Sequence, residues 1–101
     1  MAKAKASSAS LYQLRIELED ITPPIWRRFW IEGNASLIKL HHTIQAVMGW
    51  TDAHLHEFQI GDILYATPHS EDWPERIIID ERRVKLHKAL DGISRFGYLY
   101  D

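Results

Sequence analysis

The chain has 101 residues, the length of one small domain with a single hydrophobic core. Hydrophobic residues make up 46% and charged residues 26%, and twelve Lys and Arg against fourteen Asp and Glu give a net charge of −2. This balance lacks the basic excess that is typical of nucleic-acid binders. The absence of Cys excludes disulfides and thiolate chemistry. No apolar stretch approaches the roughly 18 residues of a membrane helix, so we expect a cytoplasmic protein without membrane contact.

The predicted elements begin after a polar tail at residues 1–10, which has nothing to bury and lacks the apolar core of a secretory signal. Alternation of apolar and polar residues over 11–19 predicts a strand with one wet face. Pro23 and Pro24 end it, and the aromatic and branched residues of 25–32 predict a second strand in a hairpin with the first. Because both faces of this second strand are apolar, we expect it to be central and covered on both sides.

A helix is predicted after the turn that follows the second strand. Ser36 is a suitable N-cap, and Gly49 stands where a left-handed residue ends a helix. The apolar residues between them recur at spacings of three and four, which indicates one buried stripe over about three turns. They are Leu37, Leu40, Ile44, Val47 and Met48.

Two apolar runs, 55–60 and 63–66, flank Gly61-Asp62, which predicts a tight hairpin. The polar segment 67–76 contains two prolines and predicts a surface loop. Ile77, Ile78 and Ile79 then predict either a short buried strand or an apolar patch.

Residues 80–91 predict either one helix or a short strand at 84–86 followed by a helical turn, and we favour the second. A final strand is predicted at 96–100. The whole of 11–101 therefore predicts one α+β domain. Its architecture is a β-β-α-β-β-β roll with one main helix packed on a mixed sheet.

Four motifs occur in a characteristic order: Pro23-Pro24-Ile25-Trp26-Arg27-Arg28, Gly49-Trp50-Thr51-Asp52 with His54-Leu55-His56-Glu57-Phe58, Asp80-Glu81-Arg82, and Tyr98-Leu99-Tyr100-Asp101. Together they resemble the Ri-plasmid ORF-three-like family, insertion-element passenger proteins of the TnpR type, over residues 11–101. The resemblance implies a plasmid or mobile-element context but no defined activity. Members of this family usually continue past the Tyr-x-Tyr-Asp strand, so the resemblance also implies that a chain stopping at Asp101 is a shortened relative or a fragment.

A metal site is one functional hypothesis. His54 and His56 are two residues apart, and on a strand they point to the same face. Asp52 is the third predicted ligand, with Glu57 and His41 as possible additions, and His with carboxylate is a common zinc or iron ligand set. The alternative is that one imidazole caps the helix-to-strand turn by hydrogen bonding and the other packs under Trp50. Two hypotheses therefore stay open: a divalent metal site, which would suit a metal-dependent hydrolase, and a domain that needs no cofactor.

Nucleic-acid binding is a second hypothesis. Alternation puts Trp26, Arg28 and Trp30 on one face of the second strand and Arg27 on the other. An arginine between two indoles can stack with a nucleobase. It can equally form a structural cation–π layer. The basic residues of 82–88 are an additional candidate for contact with phosphate, although a solvated face explains them equally well.

Protein–protein contact is the hypothesis that the sequence favours. The final strand ends at Tyr100, so a protein partner or a second copy of the chain is expected to cover its edge, with Tyr98 and Tyr100 as anchors. A role for these aromatics in the core is equally compatible with the pattern. No Gly-x-Ser-x-Gly turn or phosphate-binding glycine run is present, and no catalytic residue is indicated.

Overall fold

The structure, a computed structural model, describes residues 10–68 and 77–100. In chain order its elements are β1 (Leu11–Glu17), β2 (Trp26–Glu32), α1 (Leu37–Met48), β3 (His56–Ile60), β4 (Ile63–Ala66), β5 (Ile78–Asp80), a 3-10 turn (Glu81–Arg83), α2 (Leu86–Leu90) and β6 (Gly97–Tyr100). The predicted α+β fold, with one main helix and a mixed sheet, is confirmed. Residues 1–9 of the predicted tail and 69–76 of the predicted loop lie outside the described residues.

The strands form two sheets. β1 and β2 pair antiparallel as a two-stranded ribbon, and the larger sheet has the order β5-β4-β3-β6. Within the larger sheet β3 pairs antiparallel with both β4 and β6, whereas β4 and β5 run parallel. The hairpin predicted around Gly61-Asp62 is therefore confirmed.

The expected central position of β2 is wrong. β2 pairs with β1, and its outward side chains are exposed to solvent, with Trp30 at 61% and Trp26 at 41% of full exposure. The pattern misled because tryptophan on an outward face has the same hydropathy signature as tryptophan in a core. The inward side chains, including Phe29 and Ile31, pack on the body of the domain.

α1 follows the local signals closely. The Ser36 hydroxyl accepts a hydrogen bond from the backbone N–H of Lys39, and Gly49 ends the helix with φ at 74°. A left-handed φ is easy for glycine because it has no Cβ. The first three positions of the predicted stripe, Leu37, Leu40 and Ile44, are buried. They pack in one core with Phe58 and Ile60 of β3 and with Leu86 and Leu90 of α2.

The C-terminal third departs from its prediction in two places. Lys85 forms one isolated bridge with Ser36 in place of a strand, although the helical turn expected after it is present as α2. A short strand is present as β5, but it begins at Ile78 and is not buried, since Ile77 is 79% and Ile79 is 39% exposed. An apolar triplet at a sheet edge buries only the residues that face the neighbouring layer, here half-buried Ile78.

The ribbon joins the body at Gly33. Its backbone N–H donates to the Ser10 carbonyl at 2.8 Å, and its own carbonyl accepts from the His87 N–H at 2.9 Å. A Cβ at this position would lie 2.8 Å from the Tyr12 ring, so a larger residue would force the ring or its surroundings to shift. Within residues 10–68 and 77–100, no helix has the length and apolar character needed to cross a membrane.

Candidate functional site

Three polar or charged side chains are buried in the described part of the chain: His41, Gln45 and Glu81. All three belong to hydrogen-bonded networks around the same pair of histidine rings. Burying a polar group costs free energy unless it is hydrogen-bonded, and a buried ion pair is often no more stabilising than apolar side chains of the same size. Their concentration at one place therefore marks a candidate functional site.

The first network is a closed ring of hydrogen bonds. The backbone N–H of Asp52 donates to Gln45 Oε1 at 2.7 Å, and Gln45 Nε2 donates to the Tyr98 hydroxyl at 2.9 Å. The Tyr98 hydroxyl lies 2.7 Å from His41 Nδ1, and His41 Nε2 lies 2.8 Å from Asp52 Oδ1. Since a carboxylate can only accept, Nε2 carries the imidazole proton and Tyr98 donates to Nδ1.

Three elements bring this ring together. His41 and Gln45 are one helical turn apart on α1, so their side chains lie on the same face. Asp52 follows the helix in a left-handed conformation with φ at 56°, which Asp tolerates better than most residues. Tyr98 comes from β6 at the far end of the chain.

Burial sets the protonation of the ring. It lowers the pKa of His41 below the ordinary value of 6.5, against the opposing effect of the Asp52 hydrogen bond. It also raises the pKa of Tyr98 to about 12. Both shifts favour a neutral imidazole and a protonated phenol, which are the forms that the hydrogen-bond directions require.

The second network joins His56 to Glu81. His56 Nε2 lies 2.8 Å from both carboxylate oxygens of Glu81, and the Thr67 hydroxyl donates to Oε2 at 2.8 Å. Glu81 has no exposed surface. The His56 ring stacks on His41 with centroids 3.4 Å apart and planes 8° from parallel. Each of the two stacked imidazoles is thus tied to its own carboxylate.

A cavity of about 260 Å³ opens beside the stacked rings, and we call it the histidine cavity. It is lined by Ile38, His41, His42, Asp52, His54, Leu55, His56 and Thr67. His42 is largely exposed, and its Nε2 lies 4.0 Å from Asp52 Oδ2. One ligand atom each from His41, His42 and Asp52 fall within 4.8 Å of one another. Imidazole nitrogens and a carboxylate oxygen in such a group suit a divalent transition metal.

Four of the five predicted metal ligands, all but Glu57, line this cavity, but the structure groups them differently. His54 lies before β3, and its ring meets the edge of Tyr100 at 5.6 Å. His56 directs Nε2 to Glu81, whereas Asp52 faces His41. Glu57, the neighbour of His56 on β3, accepts a hydrogen bond from Gln59.

The other candidates separate into an outward and an inward set. Trp26, Arg28 and Trp30 share the outer face of the ribbon as the alternation predicted, and Arg27 lies on the other face with Nη1 donating to the Trp26 carbonyl. Tyr98 and Tyr100 point inward.

Tyr98 belongs to the closed ring already described. Tyr100 accepts from the Ala53 N–H at 2.8 Å and stacks on Trp50 at 5.1 Å. Both hydroxyls are therefore engaged within the domain.

Three residues of the site were not predicted from the sequence: Gln45, His42 and Glu81. Gln45 does have a signal in the sequence. His41 and Gln45 follow Leu37 at spacings of four along the buried stripe of α1, although both are polar. His42 is an exposed neighbour without such a signal. Glu81 lies 25 residues from His56 along the chain, and no local pattern joins the two.

The fold and the site define a small α+β domain with a buried histidine–carboxylate network. The chain belongs to the plasmid pRiA4b ORF-3-like protein family, whose family model matches residues 10–101, and this confirms the resemblance carried by the four motifs. It is 39% identical over 95 residues to the uncharacterised protein y4hQ of Sinorhizobium fredii, covering 92% of this chain and 48% of that protein.

A solved structure is also similar. The protein of unknown function MM3350 from Methanosarcina mazei Go1 matches with a TM-score of 0.73 and 33% sequence identity, over 90% of this chain and 52% of that one. The chain thus spans about half the length of both relatives.

Proposed function

We propose that the domain binds a divalent transition metal ion, with zinc as the first candidate, through His41, His42 and Asp52. The observation that carries this proposal is the grouping of their ligand atoms within 4.8 Å at the histidine cavity. Two imidazoles and one carboxylate are an ordinary ligand set for zinc.

The support around His41 resembles the outer sphere of a metal site. Metal-binding histidines are usually oriented by a hydrogen bond at the other ring nitrogen. His41 meets this condition because its Nδ1 contacts the Tyr98 hydroxyl, which Gln45 holds in turn. His41 is also 1% exposed, so its ring has little freedom to turn away.

Metal binding requires one change in the closed ring. The ion would take the place of the single imidazole proton on His41 Nε2, so that this proton would move to Nδ1 and the ring would stay neutral. The Tyr98 hydroxyl then accepts from both Nδ1 and Gln45, which its two lone pairs allow. Affinity is therefore expected to depend on Tyr98, although Tyr98 does not touch the ion.

Three protein ligands leave coordination positions open, and catalytic zinc sites have this arrangement. The histidine cavity adjoins the three ligands and has room for water or a small substrate. A metal-dependent hydrolase is therefore the class of enzyme that this centre would suit, with ligands different from the His54 and His56 pair that the strand alternation favours.

Protein contact through the last strand has weaker support. Tyr98 and Tyr100 direct their hydroxyls to groups within the domain, so they offer a partner little of the surface that anchors an interface. A plasmid or mobile-element role and a cytoplasmic location stay predictions beside the proposed metal centre.

The test is binding of Zn²⁺ to protein that has been stripped with EDTA and dialysed, measured by isothermal titration calorimetry and by metal analysis after equilibrium dialysis. We expect one ion per chain. His42→Ala and Asp52→Asn should each weaken binding by at least about tenfold, the lower end of the effect produced by losing even an outer-sphere partner.

Two further variants make the test specific. His87→Ala removes a histidine of α2 outside the cavity, so its affinity should equal that of the wild type. His54→Ala distinguishes the two ligand sets. Loss of binding in His54→Ala but not in His42→Ala would assign the ion to the other set, and equal binding by all variants would make the zinc adventitious. Either result would overturn the proposal.

A further inference from the structure

The outer face of the ribbon presents aromatic and basic side chains on one surface, together with the acidic Glu17 opposite Trp26. We call it the ribbon platform and define it by Gln13, Arg15, Trp26, Arg28 and Trp30. Register places Gln13 opposite Trp30 and Arg15 opposite Arg28. All five residues are exposed. This surface is separate from the histidine cavity, which contains no residue of the ribbon.

The positive charges of Arg15 and Arg28 repel each other across the ribbon. Like charges directly opposite each other across two strands destabilise the pair. Both guanidiniums lie over Trp26, with Cζ 4.6 Å from the ring centroid for Arg15 and 5.3 Å for Arg28. Arg15 forms an ion pair with Glu17 at 3.1 Å, whereas Arg28 makes no ion pair with any described residue. An anion beside Arg28 would relieve the repulsion.

Trp30 provides a different kind of surface. It is 61% exposed, and within the described residues no cation lies over its ring, in contrast to Trp26. The Gln13 amide opposite it can donate to and accept from a base edge. An open indole, an adjacent amide and an unpaired guanidinium two residues away complement a base followed by a phosphate.

We infer that the ribbon platform binds single-stranded nucleic acid, with a base stacked on Trp30 and phosphate held by Arg28 and Arg15. A single strand fits because its bases are free to stack, whereas duplex bases already stack on one another. The net charge of −2 opposes long-range attraction, so binding depends on these local contacts and is weak except at low salt.

The experiment is fluorescence anisotropy with a fluorescein-labelled single-stranded oligothymidine of about 20 nucleotides, titrated from about 20 to about 200 mM salt. Trp30→Ala should weaken binding about tenfold or more, the range for losing one stacked base. Trp30→Phe keeps an aromatic ring and should retain most of the affinity. Arg28→Ala should weaken binding and make the slope of log K against log salt shallower by about 0.7 for one lost phosphate contact.

Matched controls separate the platform from general charge. Arg83→Ala removes an arginine that is also exposed but lies in the 3-10 turn, so its salt slope should equal that of the wild type. The platform residues are exposed, so these variants are expected to fold, and circular dichroism checks this.

Two results would overturn the inference. One is the absence of oligothymidine binding at low salt, or binding that all variants share. The other is a dimer in light scattering that Trp30→Ala dissociates while nucleic acid does not bind. That result would assign the platform to a second copy of the chain.

Discussion

The histidine cavity and the ribbon platform use polar and aromatic side chains in opposite ways. At the cavity, polar groups such as Glu81 are fully buried and each has partners in the protein. At the platform, large aromatic groups such as Trp30 are exposed, and the charge of Arg28 lacks an ion-pair partner among the described residues. Each region therefore places side chains against the usual preference of their type.

The two regions also differ in how strongly their side chains affect the stability of the fold. A buried carboxylate stabilises the fold only while its donors are present, so the cavity is sensitive to any single loss. An exposed indole contributes little to the core, so the platform can change with small effects on folding. Size is thus a poor guide to which side chain matters for stability here.

The largest expected effect tests this contrast directly. Glu81→Ala leaves the half-buried His56 and Thr67 donors without their common acceptor and should lower the free energy of unfolding by about 1–3 kcal/mol for each of the two. Trp30→Ala removes a much larger side chain but should cost about 1 kcal/mol or less. Urea unfolding followed by circular dichroism measures both. Equal losses in the two variants would remove the distinction between the regions.

A smaller effect is expected for the two tyrosine hydroxyls of β6. Tyr98→Phe takes away both the donor to His41 and the acceptor for Gln45, and should lower the free energy of unfolding by about 1–3 kcal/mol. Tyr100→Phe loses one exposed hydrogen bond to Ala53, so a loss below about 1 kcal/mol is expected. Thermal and urea unfolding of the pair should rank them in this order. The reverse order would contradict the closed ring.

The smallest effect concerns pH. Burial lowers the pKa of His41 in the folded state, despite the opposing charges of Asp52 and Glu81 and in the same direction as the charge of His56. Below the ordinary value of 6.5 the unfolded chain takes up a proton at His41 that the folded chain does not. In EDTA, the free energy of unfolding should therefore fall as pH drops from about 7.5 to about 5.5.

Two variants check the source of this dependence. His41→Gln cannot titrate and should flatten it, whereas His42→Ala, at the exposed neighbouring position, should retain it. If His41→Gln fails to fold, an NMR titration of the native protein gives the same answer, because the midpoint of the His41 ring signals should lie below pH 6.5. A full titration of His41 at that pH would contradict the prediction.

Local signals were sufficient for much of the fold. α1 has its cap at Ser36, its stripe and its glycine within a short stretch of sequence, so its bounds follow from nearest neighbours. The hairpin around Gly61 is equally local. The position of β2 could not be predicted from local signals. Its two faces differ in burial because the rest of the chain covers only one of them.

The site was predictable only in part. Asp52, His54 and His56 do line one cavity, as their nearness in sequence suggested. Their hydrogen-bond partners come from elsewhere, since Tyr98 is 57 residues from His41 and Glu81 is 25 residues from His56. Such contacts depend on the register of β6 against β3 and on the 3-10 turn, and neither has a pattern that reaches across these distances.

The closed ring begins at the backbone N–H of Asp52 and ends at the carboxylate of Asp52, and all its hydrogen bonds have a defined direction. A peptide N–H can donate but never accept, so the amide of Asp52 decides which end of the Gln45 side chain faces it. That choice orients the Tyr98 hydroxyl, which in turn decides the tautomer of His41. One backbone amide thus determines the tautomer of a buried histidine through a chain of three side chains. The proton on His41 Nε2 then donates to the carboxylate of Asp52, the same residue that contributes the amide.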